Sequence, residues 1–133
     1  MAIRPISLIS EGLYPQHHKP QRELIHLAMG ILTQAVRDLI SPQKKVEKDW
    51  RLWRDDSQEW FDSDEVYPGS FLWVCDIIGA DPEKMRRWVR SLHRLDRKQR
   101  KAVILSLIRL TYLRDTTEPP AGADEPWRKT PGS

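Results

Sequence analysis

The sequence predicts an all-α protein of about five helices in a single small domain, with an extended N-terminal arm and a disordered C-terminal tail. Three observations carry that expectation. Apolar residues recur at spacings of three and four over most of residues 21–114, which is the signature of helices with one buried face. Serine or aspartate followed by proline or glutamine recurs where such stretches begin. Most of the 10 prolines among the 133 residues fall in the two tails, leaving the middle uninterrupted. The division is therefore an arm over 1–20, a helical domain over 21–114 and a tail over 115–133.

The arm carries Pro5, Pro15 and Pro20 and no sustained period, with Ile6, Leu8, Ile9 and Leu13 available to pack on the body. From Gln21 to Ile40, Leu24, Leu27, Ala28, Ile31, Leu32, Ala35, Val36 and Leu39 define a first helix. Gly30 within it costs about 1 kcal/mol relative to alanine, a cost that a close helix crossing would justify. Ser41-Pro42 is a good helix start, and Val46, Trp50, Trp53, Ser57 and Trp60 then form a stripe expected to pack in the core. That helix should end near Phe61 or Asp62, before a loop closed by Pro68-Gly69.

Ser70 caps a short helix from Phe71 to Ile78, and Gly79 ends it. Asp81-Pro82 opens the next, running to about Leu92 or Leu95. Asp96 with Gln99 resembles a capping box for a last helix through Val103, Leu107 and Leu110. Because Ile104, Leu105, Ile108 and Leu113 add to its apolar surface, that helix is expected to be central. After Asp115 no core pattern remains.

Residues 71–92 satisfy the requirements of a helix-turn-helix-like unit. Val74 and Ile78 face inward, Cys75 is the small residue at the crossing, Gly79 supplies the turn, and Met85 and Trp88 return to the same core. The second helix and its continuation carry Lys84, Arg86, Arg87, Arg90, Arg94, Lys98 and Lys101, a density of cations suited to phosphate contacts on duplex DNA. Asp81 and Glu83 oppose that use at the helix N-terminus. A second patch of opposite sign holds Asp55, Asp56, Glu59, Asp62, Asp64 and Glu65 with no base among them. It offers a surface for a host protein, or for the basic face of a second copy in a homodimer. The two patches could equally neutralise one another within the fold or face water.

Chemistry is sparse. His17-His18 lacks partners at ligand spacing, Cys75 is expected to be a buried thiol, and no nucleophile elbow, phosphate loop or paired-histidine motif occurs, so neither an enzyme nor a metal or cofactor is expected. A lone cysteine, the lack of a signal-peptide pattern and the lack of any apolar run of about 20 residues point to a cytoplasmic protein without a membrane span.

The string Ser70-Phe71-Leu72-Trp73-Val74-Cys75-Asp76-Ile77-Ile78-Gly79-Ala80-Asp81-Pro82, followed by Met85-Arg86-Arg87, resembles a pattern found in small uncharacterised proteins of bacteria, phages and prophages. The resemblance covers roughly residues 24–92. It implies a mobile-element setting and a helix-turn-helix-like unit, and no catalytic residues. Two readings follow: a DNA-binding regulator using the 82–90 helix, or a protein-binding modulator of a host nucleic-acid enzyme or defence complex.

Overall fold

The computed structural model describes residues 22–40, 49–113 and 125–129, and five α-helices form among them. They are α1 (Arg22–Ile40), α2 (Trp50–Asp62), α3 (Phe71–Ile78), α4 (Pro82–Leu92) and α5 (Arg97–Leu113). No strand forms among the described residues, where β pairing is limited to an isolated antiparallel bridge between Ala80 and Arg128. The N-terminal arm, the Ser41-Pro42 start and Val46 lie outside the described residues.

Helix α1 is the central one, packed against α2, α3 and α5. Ile25, Ala28, Met29, Leu32 and Val36 are completely buried, and Ala28 and Ala35 are small enough for neighbours to approach closely. The central place expected for the last helix thus belongs to the first. On α5 only Ile104, Leu107 and Leu110 are buried, while Leu105, Tyr112 and Leu113 face outward. The extra apolar residues of α5 lie about 100° or more around the helix from its buried line, so they widen its apolar surface without reaching the core. Leu27 also faces outward, against expectation, and Ile25 and Met29 take its place. Gly30 marks no helix crossing, since a Cβ there would meet nothing within 4 Å.

The tryptophan stripe of α2 is only partly turned to the core. Ser57 and Phe61 are its buried residues, Trp50 and Trp60 are half-buried, and Trp53 is 42% exposed. An indole carries an N–H that needs an acceptor, whereas phenylalanine does not. Phe61 accordingly takes the dry position, and Trp60 leans over the loop, donating from Nε1 to the Gly69 carbonyl at 2.9 Å. Trp60, Phe61 and Phe71 meet edge to face with centroids 5.0–5.6 Å apart.

The helix boundaries expected within residues 71–92 are formed, and Trp88 is half-buried against the core. Ser70 Oγ accepts from Trp73 N at 3.2 Å, and Asp81 Oδ1 accepts from Glu83 N and Lys84 N at 2.9 and 3.2 Å. Val74, Cys75, Ile78, Met85, Val89 and Leu92 are buried. Gly79 has φ of 74°, and Ala80 N closes the helix end on Cys75 O at 2.8 Å. At the start of α5 the capping box is complete, with Gln99 N donating to Asp96 Oδ1 at 2.8 Å and Asp96 N to Gln99 Oε1 at 3.0 Å.

A Cβ is disfavoured in the left-handed region by about 1–2 kcal/mol. Gly79→Ala is therefore expected to lower unfolding free energy by about that amount, whereas Gly30→Ala, on an open helix surface, should raise it by up to about 1 kcal/mol. Urea titration of both variants checks the pair, and equal effects would contradict the left-handed turn.

Within the tail, residues 125–129 are an exception to the lack of a core pattern. Trp127 is 1% exposed, with its ring centroid 4.5 Å from that of Trp88. Asp81 N donates to Trp127 O at 2.8 Å, Lys129 N to Gly79 O at 3.4 Å, and Lys84 Nζ to Arg128 O at 3.4 Å. This short strap lies across the α3–α4 turn and the start of α4.

Candidate nucleic-acid interface

The cations of α4 separate into two sets according to the side of the helix they occupy. Glu83, Arg87 and Arg90 step by four and three, so they form one line along α4, and all three are exposed; Arg94 is exposed in the turn that follows the helix. Met85, Val89 and Leu92 occupy the buried side. Arg87, Arg90 and Arg94 carry no ion pair among the described residues. Lys98 and Lys101 extend the positive surface onto the first turns of α5, where both are exposed.

Arg86 does not stand with this line, although the sequence grouped it there. Its side chain is 15% exposed, and each of its three nitrogens has a partner within the chain. Nε donates to Phe61 O at 2.8 Å. Nη2 donates to Ser63 O at 2.9 Å and to Asp64 Oδ1 at 3.1 Å, and Nη1 lies 3.6 Å from Glu83 Oε2. The guanidinium carbon sits 4.8 Å from the centre of the Phe71 ring. Arg86 thus joins the C-terminal end of α2 to α4, donating to carbonyls that a helix end leaves unpaired. Lys84 is half-buried and turned to the strap, and Arg100 is likewise internal, donating to Leu95, His93 and Ile40 carbonyls at 2.9 Å each.

The acidic patch is also divided. Asp64 is drawn to Arg86, and Asp55 lies 3.5 Å from Arg54. Asp56, Glu59, Asp62 and Glu65 surround an open cleft of about 570 Å³ that Trp60, Tyr67 and Phe71 also line. Sequence spacing did not reveal this cleft, because the 63–70 loop supplies half of it.

Burial pushes the Cys75 thiol up to about 12, so it stays protonated and unreactive at neutral pH. Among the described residues no group of three His, Cys, Asp or Glu is placed to hold a metal ion, and no helix is long and apolar enough to cross a membrane. His17-His18 falls outside those residues. Comparison with protein-family models, curated proteins and solved structures finds no match to the chain.

Proposed function

We infer that the protein binds duplex DNA, chiefly through phosphate contacts from Arg87, Arg90 and Arg94, with Lys98 and Lys101 in support. The observation that carries this reading is the set of exposed arginines, Arg87 and Arg90 on the second helix of a helix-turn-helix-like unit and Arg94 in the turn after it, left without acidic partners among the described residues. Asp81, Glu83 and the strap at the N-terminal end of α4 oppose deep insertion of that end into a groove, so backbone contact is favoured over base reading. The mobile-element setting implied by the resemblance makes a regulator the natural role. A regulator would need two copies with recognition helices about 34 Å apart.

Fluorescence anisotropy on a labelled random duplex tests the proposal. Five phosphate contacts give a slope of about −4.5 in log affinity against log salt, or a loss of about 10²–10³-fold between about 50 and about 200 mM. Replacing Arg87, Arg90 and Arg94 together by alanine should remove roughly three-fifths of that slope. Absence of binding at the lower salt would sink the reading, since the electrostatic contribution acts on any duplex.

The acid-rimmed aromatic cleft favours one other reading, a modulator that captures a basic segment of a host nucleic-acid enzyme or defence complex. Asp56→Lys and Glu59→Lys would then abolish function and leave duplex binding intact.

A further inference from the structure

Two helices each present an outward face that nothing among the described residues covers, and the faces are opposite in charge. On α5, Lys98, Leu105 and Tyr112 recur every seven residues, with Lys101 and Arg109 beside them. Leu105 is 53% exposed and Tyr112 is 78% exposed, and the seventeen residues of α5 include no acid. On α2, Leu52 is 58% exposed, and Asp55, Asp56 and Glu59 lie around it on the same side of the helix. Arg54 offsets part of the charge on Asp55, leaving Asp56 and Glu59 as the unopposed acids beside the leucine.

We propose that these faces are complementary halves of one interface, by which the protein associates with a second copy of itself: α5 of one copy against α2 of the next. Each face has an apolar centre and a charged rim, the anatomy of an association surface. The rims would set partner and register, and the leucines and Tyr112 would supply the area removed from water. A lone basic face could equally meet an anionic membrane surface. The matching acidic face on the same chain is what favours a second copy. Because the two halves differ, contact is either reciprocal in a two-fold dimer, with α5 of each copy on α2 of the other, or head-to-tail, closing into a ring or propagating. The arginines of the proposed duplex surface take no part, although Lys98 and Lys101 are common to both surfaces, and the inference does not rest on nucleic-acid binding.

Sedimentation velocity of the full chain without nucleic acid is the test, from about 10 to about 200 µM at about 50 and about 500 mM salt. Species larger than a monomer should grow with concentration at low salt and recede at high salt. Lys98→Glu/Lys101→Glu and Asp56→Lys/Glu59→Lys should each weaken association roughly tenfold or more, and mixing the two variants should restore it. Adding Leu105→Asp to the first variant should prevent the restoration, which separates a built interface from attraction between opposite net charges. All the substituted side chains are exposed, and circular dichroism confirms that the variants fold. A monomer at every concentration, or association that survives Lys98→Glu/Lys101→Glu, overturns the proposal. So does restoration despite Leu105→Asp. Binding of the monomer to anionic vesicles through Lys98 and Lys101 would assign the α5 face to a membrane instead.

Discussion

Trp127→Ala is expected to lower the unfolding free energy by about 3–5 kcal/mol, the usual loss for emptying a buried aromatic site. The indole is 1% exposed and lies against Trp88, so its removal leaves a void beside a second ring and frees the strap. Three hydrogen bonds between the strap and Gly79, Asp81 and Lys84 depend on that anchor. One feature works the other way. Trp127 Nε1 is buried without an acceptor among the described residues, a deficit of about 1–3 kcal/mol in the docked state. Trp127→Phe removes that deficit along with part of the ring volume, so its net loss should stay below about 2 kcal/mol. Urea unfolding of both variants provides the check. An alanine variant within about 0.5 kcal/mol of the parent would show that residues 125–129 do not dock.

Arg86→Ala should cost about 2–4 kcal/mol. Two hydrogen bonds from a cation to the Phe61 and Ser63 carbonyls dominate, at about 1.5–3 kcal/mol each before the exposed carbonyls regain water. Asp64 and Glu83 add little, because their side chains are 83% and 76% exposed and solvent screens them. Contact with the Phe71 face contributes on the order of 1 kcal/mol more. Arg86→Lys keeps the charge but not the planar fork, so it should recover less than half of the loss. Duplex binding separates this role from a phosphate contact. At a temperature where the variant is folded, Arg86→Ala should leave the salt slope unchanged, while loss of Arg87 should reduce it by about 0.9. A slope reduced by Arg86→Ala would return that residue to the interface.

The helix-turn-helix-like unit was legible because each of its parts is encoded within a few residues. Ser70, Asp81-Pro82 and the Asp96–Gln99 pair form bonds to backbone two or three positions away. Gly79 is needed for a φ that other residues resist. What escaped the sequence depends on contacts between distant segments. Spacing shows that Leu105 and Tyr112 share a face, but not that Ile104, Leu107 and Leu110 win the core instead. It places Trp53 and Trp60 on one stripe, without revealing that the neighbouring Phe61 fits the dry site better. Arg86 has the same helical context as Arg87, and what distinguishes it is a pair of backbone carbonyls on α2 and its following loop, which no side-chain pattern records. Trp127 stands alone among prolines and charges, with no period to mark it as core.

The strap also bears on the order in which the chain acquires its structure. Lys84 and Arg128 are 44 residues apart, so α4 is synthesised well before the segment that covers Trp88. Contacts of such separation require loop closure before they contribute anything, which places them late in folding. Until residues 125–129 dock, the indole of Trp88 is bare beside the α3–α4 turn. Such transient apolar exposure is what chaperones engage.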